Sequence, residues 1–309
     1  MPVFQSKIKP ENADLVIIPV CWSLENDCDF KNYIHPIIEA SKQVELFHEF
    51  HGYQRGCKIG IDLDYQPSQN LDDSVSRASH ETNWGIESEA KSSISLINED
   101  YNKLTSFIDE KVDYWLAKDK LVVVIGGGAS ISLGCISAVS NLKKGFGLFH
   151  LSASPFLVPF EGKRLLEENS IYNIGVKIPE LSKIVGVGYR SISQSELSVQ
   201  KENRERIVWF SKRKNDNYIF NGDPFNKVAK RLVNNLPEFV YVSVHLSVLQ
   251  SYSVDEIEYV LQQIVESRRK IIGADLLGLD QLDENMSPKL VAELLLILAK
   301  TYGRSRGKK

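Results

Sequence analysis

The run Leu121-Val122-Val123-Val124-Ile125-Gly126-Gly127-Gly128-Ala129-Ser130-Ile131-Ser132-Leu133-Gly134 carries a strand, a turn and the start of a helix. An unbroken valine-rich apolar run is the pattern of a strand buried on both faces. The glycines then allow a tight turn, and helical spacing of apolar residues follows over Ile131–Leu142. A glycine-rich turn entering a helix can cradle a phosphate on the helix N-terminus. This one has neither G-x-x-x-x-G-K-[ST] nor G-x-G-x-x-G. By itself it marks a tight strand-to-helix passage of an α/β protein.

Working outward, the same alternation recurs. Leu15–Val20, Lys58–Ile61, Phe146–Phe149, Lys183–Val187, Phe239–Val244 and Lys270–Ala274 are short runs rich in Val and Ile, bounded by turn residues or charges. Ser88–Leu116 spaces Ile94, Ile97, Tyr101, Leu104, Ile108, Val112 and Trp115 along one helical face. Pro224–Leu236, Val254–Val265 and Pro288–Tyr302 are further helices. Ser253 with Glu256 forms a capping box for the second of these, and Ser287 before Pro288 caps the third. Strands alternating with helices predict a three-layer α/β/α fold with a mostly parallel central sheet. Gln66–Asn83 reads as a polar surface loop. Lys201–Asn217 reads as a solvated helix end and charged connection with a short strand at Ile207–Phe210. Nothing marks a boundary, so residues 1–309 read as one domain.

Composition narrows the function classes. With 43% hydrophobic and 25% charged residues the chain is ordinary for a globular protein. A net charge of -3 gives no pull toward nucleic acid or anionic membranes. Cys21, Cys28, Cys57 and Cys135 form no C-x-x-C pair and no metal-type spacing, as expected of free thiols in a reducing compartment. Met1–Asp14 is polar, and no run reaches the ~18 apolar residues of a membrane span. The expectation is a cytoplasmic protein that binds neither nucleic acid nor membrane.

In a parallel sheet of this kind ligands bind beyond the carboxyl ends of the strands. Those exits carry a resemblance. Gly126, Gly127, Ser130 and Gly134 match the ureohydrolase signature G-G-D-H-S-x-x-x-G, with Gly128 in place of the acid and Ala129 in place of the histidine. The next signature, D-A-H-x-D, falls on His150-Leu151-Ser152-Ala153-Ser154. Phe160-Glu161-Gly162 and Ser170-Ile171-Tyr172-Asn173 look like the segment that follows in agmatinase-like members. Ile184–Ser193 is similar to the family's V-G-I-R-x-x-S stretch. S-x-D-x-D-x-x-D-P falls on Ser243–Gln250, and the glutamate of a D-x-x-E pattern falls on Gly278 after Asp275-Leu276-Leu277. Ile18–Trp22 and Glu39–Phe47 also resemble agmatinase-like and formimidoylglutamase-like sequences. The chain thus resembles the arginase/agmatinase/formimidoylglutamase (ureohydrolase) family over roughly residues 14–303.

That resemblance implies the arginase-like fold and a trimer or hexamer of identical chains. It also implies the site at which relatives hold two manganese ions on two histidines and four aspartates, where a bridging hydroxide attacks a guanidinium or formimidoyl carbon. At those six positions this chain has Ala129, His150, Ser152, Ser154, His245 and Ser247. Two divalent ions about 3.5 Å apart repel by roughly 19 kcal/mol at an effective dielectric of about 20. Carboxylates and hydroxide offset that repulsion in relatives, whereas serine hydroxyls are neutral, weak ligands. Manganese binding is not expected, and the cofactor expectation is none. Gly128 and Gly278 stand in the substrate pocket, and Gly278 removes the acid expected to orient the substrate's cationic end.

The sequence therefore predicts a pseudoenzyme with a ligand-binding, regulatory or assembly role, partnered by itself, a small molecule or an active paralogue. The alternative is a hydrolase of C–N bonds in guanidino or formimidoyl compounds that uses a single non-manganese metal at His150 and His245. Those two imidazoles are expected to face each other, within reach of the serines at 152, 154 and 247. A serine–histidine nucleophile at His150 is set aside, because no G-x-S-x-G elbow is present and no acid is placed to orient that ring. His48 and His51 read as surface groups at a helix end, and Cys135 as a small core residue.

Overall fold

The computed structural model describes residues 8–20, 22, 30–41, 47–48, 52–53, 58–63, 87–159, 167–281 and 286–307. Gln66–Asn83, His51, Cys21, Cys28 and Cys57 lie outside these residues, as do the segments 160–162 and 42–46 used in the family resemblance. Its strands are β1 (Leu15–Val20), β2 (Phe47–His48), β3 (Gly52–Tyr53), β4 (Ile59–Ile61), β5 (Leu121–Gly126), β6 (Phe146–Leu151), β7 (Leu181–Val187), β8 (Ile207–Phe210), β9 (Phe239–His245) and β10 (Lys270–Leu277). Eight of them form one sheet in the order β4-β1-β5-β10-β9-β6-β7-β8, and every pair in it is parallel. β2 and β3 form a separate antiparallel ribbon. His48 lies in that ribbon and not at a helix end.

The valine-rich strands are buried because helices cover both faces. The helices are α1 (Phe30–Ser41), α2 (Glu87–Leu116), α3 (Ser132–Leu142), α4 (Ser170–Lys177), α5 (Gln194–Glu202), α6 (Lys212–Phe220), α7 (Phe225–Asn234), α8 (Val254–Glu266) and α9 (Pro288–Ser305). One core packs Ile34 and Ile37 of α1, Leu232 of α7, Leu261 of α8 and Leu294, Leu295 and Leu298 of α9 against one side of the sheet. The other packs Tyr101, Leu104, Ile108 and Val112 of α2, Ile136 and Val139 of α3 and Ile174 of α4 against the opposite side. This is a three-layer α/β/α architecture. Both expected caps form: Ser253 and Glu256 close a capping box on α8, and Ser287 accepts from the Leu290 N–H of α9.

The run that opened the reading folds as its glycines require. A Cβ on Gly134 would lie 2.7 Å from the Thr105 carbonyl oxygen and 2.9 Å from Ile108 Cβ. The residue is glycine because α3 and α2 approach backbone to backbone there. That contact sets where α3 begins and so where the turn at 126–131 meets the strand ends.

Candidate functional site at the carboxyl ends of the strands

Strands β6 and β9 are neighbours, with His150 opposite Ser243 and Leu151 opposite Val244. Their last residues therefore deliver His150 and His245 to the same end of the sheet. Both side chains are buried, each 1% exposed. The Phe156 ring packs near both, its centre 5.9 Å from the His150 ring and 5.0 Å from the His245 ring. Phe156 holds φ at 52°, a left-handed conformation that is strained for a bulky side chain. Its carbonyl is fixed in place by the N–H groups of Ile171 and Tyr172 at the start of α4.

The two imidazoles have different surroundings. His150 meets none of the three expected serines. Its Nδ1 lies 3.2 Å from Ser243 Oγ, and its Nε2 has no hydrogen-bond partner. Burial, followed by the neighbouring His245, pushes its pKa down to about 3, so it is neutral. His245 has Ser247 Oγ 2.8 Å from Nδ1 and Glu167 Oε1 3.3 Å from Nε2. Ser247 Oγ in turn lies 3.2 Å from Ser152 Oγ and accepts from the Ala153 N–H at 3.2 Å. The Ser154 N–H donates to Ser152 Oγ at 3.1 Å, and the Ser154 side chain is exposed.

Glu167 is the residue that the sequence reading missed. It is 2% exposed, and its Oε1 also accepts the Ala129 N–H at 2.6 Å. An acid is therefore placed on a ring nitrogen of His245, a partner the sequence reading did not consider. In sequence it belongs to Glu167-Glu168-Asn169-Ser170, which looks like a solvated helix start. Only its position just before α4, which packs on α3, brings it inward.

Gly128 and Gly278 make room for this pair. A Cβ on Gly128 would lie 3.2 Å from the Glu167 carboxyl group, and one on Gly278 would lie 2.8 Å from His245 Cε1. Gly278 also holds φ at 91°. Where the resemblance led one to expect acids at 128 and 278, the glycines thus leave space for a carboxylate from 167 and an imidazole from 245.

Beneath the histidines lies a buried carboxyl. Asp275 Oδ2 accepts from Ser132 Oγ at 2.7 Å and from the Tyr241 hydroxyl at 2.9 Å. Burial raises its pKa to about 6, opposed by hydrogen bonds from Ser243, Ser132 and Tyr241. Cys135 is buried beside it. Burial pushes that thiol well up, and its Sγ donates to the Ile131 carbonyl, as suits a core residue. Among the described residues no group of three or more His, Cys, Asp or Glu is arranged to hold a metal ion. No helix of those residues is long and apolar enough to cross a membrane.

Comparison with known proteins places this geometry. The model of the Arginase family matches residues 47–254, more than half of the chain. No curated protein is significantly similar in sequence. Among solved structures, the agmatine ureohydrolase of Thermoplasma volcanium superposes with a TM-score of 0.68 at 14% identity, over 99% of this chain and 96% of that one. Proclavaminate amidino hydrolase from Streptomyces clavuligerus gives 0.68 at 16% identity, over 99% and 98%. Arginase from Bacillus caldovelox gives 0.61 at 15%, over 94% and 98%. At such identities the structural likeness is one of fold. With the family match covering more than half of the chain, the conclusion is that this chain belongs to the arginase family.

Proposed function

We propose that this protein is an arginase-family member without the binuclear manganese site, serving as a non-catalytic ligand-binding, regulatory or assembly subunit that forms a trimer or hexamer. The observation that carries the reading is how the six positions are engaged. Ser152, Ser247 and His245 bond to one another and to Glu167, and Ala129 contributes only its backbone N–H. These are neutral donors with one carboxylate. A dimanganese cluster needs several carboxylates to offset its own charge repulsion, so the donor set does not fit that group. Without it the family reaction has no metal-bound hydroxide. The test is hydrolysis of arginine, agmatine, guanidinobutyrate and formimidoylglutamate with added manganese. The expected result is no urea or formamide above a boiled control. Release that rises with manganese would overturn the reading.

One observation favours a second reading, a C–N hydrolase using a single zinc-like ion at His150 and His245. The buried His150 Nε2 has no hydrogen-bond partner and could accept a ligand bond. Against it, both ring nitrogens of His245 are already engaged. Thermal melting with zinc, nickel or copper separates the two. Stabilisation that disappears in His245→Ala supports the single-metal enzyme, and a flat response supports the first reading.

A further inference from the structure

The three groups Glu167, His245 and Ser247 form a continuous relay from buried carboxylate to partly exposed hydroxyl. The Ser247 N–H donates to His245 Nδ1 at 3.3 Å, so that nitrogen carries the lone pair. The ring hydrogen is then on Nε2, the atom facing Glu167 Oε1 at 3.3 Å. In this tautomer the Ser247 hydroxyl donates to Nδ1 at 2.8 Å. Glu167 is itself fixed by the Ala129 N–H, and a Cβ at either Gly128 or Gly278 would intrude on the carboxylate or the ring. Carboxylate, imidazole and hydroxyl in this order are the working parts of a serine nucleophile, which is known by geometry and not by sequence position.

We infer that Ser247 is a metal-independent nucleophile that accepts an acyl group from a small, neutral ester, with His245 as its general base and Glu167 as a positioning residue. Ser247 is half-buried while both partners are enclosed, so it is the member of the relay that a ligand can meet. Its oxygen also receives the Ala153 N–H and lies beside the Ser152 hydroxyl. The Ser152 hydroxyl and the Ala153 N–H that meet it carry no net charge, which is why the acyl donor is neutral.

The step balances without a metal or a redox partner. The Ser247 proton passes to His245 Nδ1 as Oγ bonds to the carbonyl carbon. The bond to the leaving alkoxide then breaks, and the alkoxide takes the proton from Nδ1. Water repeats the sequence on the acyl-serine, releasing the carboxylic acid and restoring the hydroxyl. This reaction is separate from the manganese-dependent one: it leaves the absence of a binuclear site untouched and replaces the non-catalytic role proposed above.

The test uses the full chain with chelator present. The protein is treated with a fluorophosphonate and, separately, with 4-nitrophenyl acetate, and the adduct is mapped by peptide mass spectrometry. The expected result is one adduct per chain, on Ser247, absent in Ser247→Ala. The labelling rate should fall about 100-fold in His245→Gln and at least about tenfold in Glu167→Gln, which keeps the shape and removes the charge. Circular dichroism of each variant separates unfolding from loss of the nucleophile. If His245→Gln does not fold, mapping on the parent alone decides. A folded parent with no adduct on Ser247, or folded variants at His245 and Glu167 that label at the parent rate, would overturn the inference.

Discussion

The buried pair His150 and Asp275 puts opposing pH dependences at one end of the sheet. Burial lowers the folded pKa of His150 from 6.5 to about 3. The unfolded chain therefore binds that proton first, and stability falls as pH drops from about 6.5 toward 3, by on the order of 5 kcal/mol in full. Asp275 has a folded pKa raised from 3.8 to about 6. The folded state holds its proton more tightly, so stability rises as pH drops from about 6 to 3.8, by on the order of 3 kcal/mol. The two offset each other between about pH 6 and 4, and only the histidine acts below that. Asp275→Asn removes the compensating term, and its urea midpoint should fall more steeply from pH 6 to 4 than the parent's. Equal slopes would mean that Asp275 is ionised in the folded protein throughout. At this scale the site was half legible. His150, His245 and the serines stand in ordered signatures, and their types alone spoke against a manganese cluster. Glu167 was not legible, because its role depends on a turn that folds back 78 residues before His245 in sequence. Phe156 was not legible either, since a strained φ leaves no mark in composition.

Among the elements, the strands of the large sheet were read closely because all but β8 are apolar runs bounded by turn residues, and β8 was marked within its charged surroundings, whereas the two-residue strands β2 and β3 were not read. The helices that escaped were short, interrupted or largely polar. Helix α6 buries only Asn215, α4 is short and contains Gly175, and α1 carries Pro36 inside it. Helix α5 was hidden in the same way, although Ser193 and Glu196 supply a capping box as clear as the one on α8. That box reaches further than a cap. Glu196 is 6% exposed and also accepts the buried Leu157 N–H at 3.2 Å, bracing the segment that carries Phe156. Glu196→Ala should therefore cost about 2–3 kcal/mol, the sum of a lost cap and a stranded buried donor. Ser253→Ala on α8 should cost only about 1 kcal/mol. Urea unfolding of the two variants gives the comparison. Similar losses would mean that Leu157 finds another acceptor.

For the molecule as a whole, the alternation of strands and helices predicted the layers, while the order of strands could not be read from it. Nothing local in Lys270–Leu277 says that it lies between β5 and β9. That placement follows from which faces remain to be buried once the helices have packed. The result is a sheet whose centre comes from the end of the chain: β10 joins β4-β1-β5 on one side to β9-β6-β7-β8 on the other. The edges of β5 and β6 that face the centre are satisfied only by β10 and β9. A chain stopped at Leu236 should therefore precipitate, since each half-sheet would present an open, apolar strand edge. Sedimentation of the expressed truncation checks this, and a soluble, folded product would show that the halves close on their own.

The same strand order has a consequence for how the protein is made. Synthesis delivers β4, β1 and β5 first, then β6, β7 and β8, and the two strands that unite them come last. Until Phe239–Leu277 has emerged, the growing polypeptide holds two unjoined sheet fragments with bare edges. These are the species that chaperones retain and that aggregate when unprotected. Helix α9 follows only after β10, and its Leu294, Leu295 and Leu298 cover the join. Closure of the sheet therefore waits for the stretch from Phe239 to Ser305, and slowing translation upstream of Phe239 would lengthen the vulnerable interval without completing any part of the sheet's centre.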